Sequence, residues 1–429
     1  MKLETLRKKY PKFLFEDFGF NTVKNGIEIF FKFKIEPNIK FSPKIFIEGV
    51  SENELAKIKE NNLKNLVFNL GLIEILSYWK ATCSQKIEIL AGKLTQRQIE
   101  WWRDIILRGM GQFFFENKIN FLQNNFLQIE TKGEKFQRFD GKLDKEKVLI
   151  PVGGGKDSIV TIEYLKKTKK DLTLFFLNPK KHQLKIAKIS KIKNAICVKR
   201  EIDRKLIELN KRGFLNGHTP FTAYLSFLTV LVAVLKNYKF IAFSNEKSSN
   251  EGNVKYGGMV INHQYSKSED FEERFRFYSK KYLAKEVEYF SLLRPFYELE
   301  IAALFSQFPQ YFNTFLSCNV AFQTKGGVKK PLGRWCGQCP KCLFTFVSLY
   351  PFVGKKVIKI FKKNLFDDKK LLPLLYQLLG LEGFKPFECV GTKKETLLAF
   401  KLSLERCKKE YKKLPFLLEN FAKIIGFSQ

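Results

Sequence analysis

The sequence predicts an α/β fold: a doubly wound, mainly parallel sheet carrying an N-terminal α+β domain and a helical C-terminal region. Three observations lead there. Between residues 148 and 243 short apolar runs alternate with helical stretches, the pattern of βαβ units. Before them, GIEIFFKFKI (residues 26–35) alternates with period two, as a half-buried strand does. From about Leu343 onward the pattern is helical, with lysine-rich solvent faces. The expected divisions are 1–143, 144–345 and 346–429, the first boundary falling in the polar stretch GKLDKEK (residues 141–147).

In chain order, NLVFNLGLIEILSYWKAT (residues 65–82) reads as a helix of the N-terminal domain, which is a candidate for substrate binding. VLIPV (148–152) reads as a buried strand, the three glycines after it as a tight turn, and 158–166 as a helix with Ile159, Ile162 and Leu165 on one face. LTLFFL (172–177), AICV (195–198) and FIAF (240–243) are further strands, with an apolar helix starting near Phe221 before the last of them.

A chain of 429 residues that is 45% hydrophobic buries a large core. Its 76 basic and 43 acidic residues leave a formal charge of +33, which suits acidic partners. The excess is lysine spread along the whole chain, with no basic arm or basic stripe interleaved with aromatics, so nucleic acid is not the expected partner. The longest apolar run, residues 219–235, is shorter than the ~20 residues of a membrane span. The N-terminal residues lack a signal peptide's apolar core, so a cytoplasmic protein is expected. Eight cysteines are too sparse for a disulfide framework.

Gly153, Gly154 and Gly155 stand between a strand and a helix. There, successive backbone N–H groups and the helix N-terminus cradle phosphate, and Asp157 is placed to hold Mg²⁺ against it. The spacing fits neither of the two commonest nucleotide loops. GGGKDS instead resembles the S-G-G-x-D-S loop of the PP-loop ATP pyrophosphatases, whose fold is adenine nucleotide alpha-hydrolase-like, with Gly153 where that family has Ser. Further along, Cys318 and the run GRWCGQCPKC supply Cys336, Cys339 and Cys342, a donor set for one tetrahedral Zn²⁺. Residues 292–342 resemble the end of the PP-loop enzyme that makes 7-cyano-7-deazaguanine.

SNEKSSNEGNV (244–254), INHQYSKS (261–268), GRWCGQCPKC (333–342), GLIEILSYWKATCS (71–84) and KPFECVG (385–391) together resemble the MurL family over nearly the whole chain. These are ATP-dependent UDP-N-acetyl-α-D-muramoyl-L-alanyl-L-glutamate epimerases of peptidoglycan synthesis. The resemblance implies that ATP and Mg²⁺ activate the glutamate carboxylate as an acyl-adenylate, releasing pyrophosphate and then AMP, so that the α-proton can leave. The implied substrate is the UDP-linked muramoyl dipeptide. Gly153, Gly154, Gly155, Lys156, Asp157 and Ser158 would then bind the triphosphate, and Asn178 the nucleoside. Proton transfer needs an acceptor and a donor. His263, Cys83 and Cys389 are the candidates; His182 reads as solvated, and His218 reads equally as a helix-entry residue or a functional one. Glu246, Glu251 and Asn253 are candidates for a metal or substrate shell. Two other functions fit: a PP-loop enzyme modifying a nucleobase, 7-deazaguanine or tRNA, and a catalytically inactive zinc-stabilised binding protein. The oligomeric state is not legible.

Overall fold

The computed structural model describes residues 2–322 and 332–426. Among them the strands are β1 (Lys12–Val23), β2 (Gly26–Ile35), β3 (Ile39–Phe41), β4 (Lys44–Glu48), β5 (Lys86–Ile89), β6 (Gln128–Thr131), β7 (Asp144–Pro151), β8 (Asp171–Leu177), β9 (Asn194–Glu201), β10 (Tyr238–Phe243), β11 (Val254–Tyr256), β12 (Met259–Ile261) and β13 (Glu288–Ser291). All but the β11/β12 hairpin join one sheet, in the order β13-β10-β7-β8-β9-β4-β2-β1-β5-β6 with β3 paired to β2. The five strands from β13 to β9 run parallel. The N-terminal strands β4, β2 and β1 form an antiparallel meander, and β5 and β6 add in parallel beyond it.

Alternation along the parallel strands divides two cores. Leu149 of β7, Phe175 of β8 and Ile241 of β10 face one. Val148, Ile150, Leu174, Phe176 and Ala242 face the other. The first core is closed by the helices Glu60–Trp79 and Phe221–Leu235. Those helices pack on each other as well as on the sheet, which is why the second is apolar nearly all round. The second core is closed by the helices Lys156–Leu165, Glu298–Phe305, Pro340–Val353 and the C-terminal helices. The helical region expected after Leu343 is here, and its apolar faces cover the sheet.

The polar stretch at 141–147 leads directly into β7, and the sheet continues past it by a route that sequence periodicity does not reveal. β4 pairs antiparallel with β9, Lys44 opposite Glu201 and Ile47 opposite Val198. Just beyond, Arg200 of β9 reaches Glu74 of the helix Glu60–Trp79 through two hydrogen bonds of 2.9 and 2.7 Å. It also donates to Ser77 Oγ at 2.7 Å and lies 4.4 Å over the Tyr224 ring. Glu74 is fully buried, so its charge depends on this partner. Arg200→Met should lower unfolding stability by about 3 kcal/mol or more, read as a drop in the urea midpoint, whereas the double variant Arg200→Met/Glu74→Leu should recover much of the loss.

Candidate active site

In the order β13-β10-β7-β8-β9 the chain leaves β7 toward β8 on one side and returns to β10 on the other, so a crevice opens above β7 and β10. The cleft there has a volume of about 410 Å³. Gly153, Gly155, Asp157 and Ser158 of the glycine turn line it, with Ser244 and Asn245 after β10 and Phe175 and Leu177 of β8. Lys267, Lys341 and Cys389 come from three later segments.

The turn's geometry explains its glycines individually. Gly154 has φ +88°, and a Cβ there would stand 2.4 Å from His182 Nε2. Gly153, which carries hydrogen where the resembling loops carry a hydroxymethyl, has open space around its Cβ position. The Leu316 N–H donates to the Gly154 carbonyl at 2.9 Å, and Ser158 Oγ donates to the Gly155 carbonyl at 3.0 Å, which holds the turn open. Lys156 does not point at the cleft: its buried ammonium ion-pairs with Asp157 and Glu298. Burial opposes the Lys156 charge, but those two carboxylates more than offset it and hold the lysine protonated. Asn178 is also outside the cleft. It has φ +47°, and its side chain pairs with the backbone of Arg200 at 2.9 and 3.0 Å.

Glu298 opens the helix that follows β13, and sequence reading passed over it. Its carboxylate receives Lys156 on one oxygen and, at 3.3 Å, Lys341 on the other. Burial raises its proton affinity, yet the two lysines prevail and bring it down to about 2. Carboxylate oxygens of Asp157, Glu246 and Glu298 lie within 4.8 Å of one another. Glu246 shows no ion pair among the described residues, and burial pushes it up to about 7. Asp157 and Glu246 are therefore the oxygen donors best placed to share a divalent cation with bound phosphates; Glu298 is committed to the lysines. Glu251 and Asn253 do not line the cleft: Glu251 pairs with Lys385 at 3.2 Å, and the Asn253 side chain binds backbone.

Two of the three candidate proton carriers meet. Lys267 Nζ donates to Cys389 Sγ at 3.3 Å, and His263 Nε2 lies 3.9 Å from the same sulfur. Asn253 builds the contact, accepting from His263 N at 2.9 Å while donating to the Lys385 and Pro386 carbonyls. Arg294 ties the neighbouring loops, donating to the backbone oxygens of Glu246 at 2.8 Å and Lys267 at 2.7 Å. His263 is buried with Nδ1 unpartnered, and burial, then the nearby His218, lower its proton affinity, so it is neutral at pH 7. His218 lies with its ring centroid 5.7 Å from that of His263, and burial lowers it to about 4. His182 is not solvated as expected: its ring stacks on Phe322 and rests on Gly154. Cys83 is not brought to the cleft. It is fully buried in the N-terminal core beside Arg7, and burial pushes its thiol up to about 12.

Next to the cleft, Cys318, Cys336, Cys339 and Cys342 bring their sulfurs within 4.8 Å of one another. The separations of 3.9 Å for Cys318–Cys339 and 3.6 Å for Cys336–Cys342 match the about 3.8 Å between thiolates on a tetrahedral Zn²⁺. The four donors fit zinc. Lys341 sits between the last two cysteines, so the same turn delivers its ammonium to Glu298. Glu388, next to Cys389, accepts from Lys341 N at 2.7 Å.

Elemental analysis should find about one zinc per chain, and Cys339→Ser should lose it and lower the thermal midpoint. Gly153→Ser should melt like the parent chain, whereas Gly154→Ser, forced into a left-handed backbone against His182, should lose about 1–3 kcal/mol by denaturant titration.

The MurL N-terminal domain profile matches residues 4–292 and the MurL C-terminal domain profile residues 314–425. A UDP-N-acetyl-alpha-D-muramoyl-L-alanyl-L-glutamate epimerase of Xanthomonas oryzae pv. oryzae is 33% identical over 338 residues, 79% of this chain and 74% of the relative. A Micromonospora protein of the same name matches to the same extent. One from Salinispora tropica is 33% identical over 334 residues, 78% of this chain and 72% of the relative. The chain belongs to the MurL family of epimerases.

Proposed function

We propose that the protein uses ATP to invert the terminal L-glutamate of UDP-N-acetylmuramoyl-L-alanyl-L-glutamate through an acyl-adenylate. The observation that carries this reading is that the glycine turn and the Cys389–Lys267–His263 group border one cleft. Adenylation and proton transfer therefore share a single bound carboxylate.

The chemistry dictates that order. An α-proton beside a free carboxylate is very weakly acidic, because the carbanion would sit next to a full negative charge. The carboxylate oxygen attacks the α-phosphorus of ATP and pyrophosphate leaves, so the carboxylate becomes the uncharged acyl group of a mixed anhydride whose remaining negative charge sits on the phosphate. A divalent cation held by Asp157 and Glu246 would draw charge from the phosphates. The backbone N–H groups of the glycine turn and the start of the helix Lys156–Leu165 bind the phosphate oxygens. With the α-proton removed, the charge delocalises as an enolate onto the acyl oxygen. Return of a proton to the other face, then hydrolysis, gives the D-glutamyl product and AMP.

Geometry limits the proton carriers. Two carriers flanking one carbon, each about 3–3.5 Å from it, stand roughly 6–7 Å apart. Cys389 and His263, at 3.9 Å, serve one face together. Cys389 lines the cleft and His263 stands behind it, so the imidazole exchanges its proton through the sulfur while Lys267 stabilises negative charge there. Among the described residues the charged side chains lining the cleft are Asp157, Lys267 and Lys341. Lys267 touches the same sulfur and Asp157 belongs to the glycine turn, so we assign the opposite face to Lys341 as proton donor, its ammonium kept charged against burial by Glu298.

AMP should form from ATP only when the UDP-linked dipeptide is present, and in deuterated water the D-glutamyl product should carry deuterium at its α-carbon. Asp157→Asn should keep the fold and lower AMP release by at least about a hundredfold. Cys389→Ser should abolish inversion while AMP release persists. AMP formation without α-deuteration, or turnover of a deazapurine or tRNA, would overturn the reading.

A further inference from the structure

We propose that the hollow beside the four-cysteine turn is the site for the nucleoside diphosphate end of the substrate. This rests on the epimerase reading and adds a subsite to it. The substrate is a long molecule with its reacting glutamate at one end and uridine diphosphate at the other. A cleft of about 410 Å³ that accepts a nucleoside triphosphate and a glutamyl group has no room for a second nucleotide. The uridine end must therefore lie against another surface continuous with the cleft.

One hollow meets these conditions, with a volume of about 720 Å³. It joins the cleft at Leu316, which lines both, and at the stacked pair His182 and Phe322, of which the first faces the hollow and the second the cleft. Among the described residues its cations are Lys181, Lys185, Arg334, Lys359 and Lys362, and no Asp or Glu lines it. None of the five shows an ion pair to a carboxylate among the described residues. The basic composition of the chain does not account for this by itself. A second lysine-rich hollow, around Arg276, Lys280 and Lys285, carries Glu273, Glu286 and Glu288 in its lining, and Lys280 pairs with Glu288 at 2.7 Å. The uncompensated hollow is where a ligand's negative charge is needed.

The rest of the lining suits a nucleoside. Trp335 is half-buried on the floor, braced edge-on by Phe315 at 5.2 Å and tilted against Phe361 at 4.6 Å, a rigid apolar surface for a pyrimidine ring. Asn313 and Thr314 add uncharged polar groups beside it. Lysine and arginine around an aromatic floor match a diphosphate joined to a base.

The double variant Lys185→Glu/Arg334→Glu tests the assignment, with UDP as the binding probe and thermal melting as the control for folding. Calorimetric titration should show UDP binding to the parent chain, weakened by added salt, and at least about tenfold weaker binding to the variant. The KM for the UDP-linked dipeptide should rise by a similar factor, with the KM for ATP unchanged. Turnover of a muramoyl dipeptide lacking UDP should be low and equal in the two proteins. Unaltered UDP affinity, or an equal loss with the UDP-free substrate, would overturn the proposal. So would bulk tRNA that binds the hollow and excludes UDP. UDP binding is measured without turnover, so a parent chain that releases no AMP with the UDP-linked substrate refutes the epimerase reading alone.

Discussion

Everything in the cleft hangs on one buried carboxylate with two buried lysines. Glu298 begins the helix after β13, Lys156 the helix after the glycine turn, and Lys341 lies in the first turn of the helix after Cys339. Three elements far apart in sequence are thereby pinned at the mouth of the sheet. The arrangement is energetically demanding, because a buried charge is tolerated only when it is paired and hydrogen-bonded. Truncating Glu298 would leave the buried Lys341 ammonium without an ion-pair partner among the described residues, and Lys156 with Asp157 alone. The Ser248 hydroxyl accepts from the Glu298 N–H at 2.9 Å, which extends the network to the loop after β10. The glycine turn is thus tied into a buried ion-pair and hydrogen-bond network, the kind of support that preorganised electrostatic stabilisation requires.

The same constraint gives the four-cysteine turn a meaning beyond stability. A turn tied by four sulfurs fixes Cys339 and Cys342, and with them the backbone of Lys341. Glu388 accepts from that backbone, and the next residue is Cys389. The two walls of the cleft that carry Lys341 and Cys389 are therefore in direct contact behind the cleft. A shift of the turn moves both.

Much of the fold was legible because its signals are local. VLIPV, LTLFFL, AICV and FIAF all lie in parallel strands, and GIEIFFKFKI coincides with β2. What periodicity could not show was partnership. The antiparallel step from β9 to β4 rests on a register between residues about 150 apart, and nothing in KIFIE or NAICVKRE marks it. In the cleft, glycines and cysteines stood out because those residue types are rare and spaced, and Cys389 and His263 stood out because they are scarce. Lys267, Lys341 and Glu298 were hidden by abundance. In a chain with 76 basic residues a functional lysine looks like any other until burial singles it out. Lys267 lay within INHQYSKS and Lys341 within CPKC, so the stretches were noticed and the residues were not. Cys83 shows the reverse error: a scarce residue in a polar-looking stretch that the fold assigns to the core.

Burial also bears on why the N-terminal region is needed at all. His218 lies just before the helix Phe221–Leu235, and Lys80, at the end of the helix Glu60–Trp79, donates to the Gly217 carbonyl at 2.8 Å. Burial, then the Arg200 charge, lower Lys80 to about 8. The N-terminal helix thus sets the backbone that carries His218, and His218 packs edge-on against His263. Withdrawn from solvent among these groups, the imidazole of His263 stays neutral, with Nε2 3.9 Å from the Cys389 sulfur.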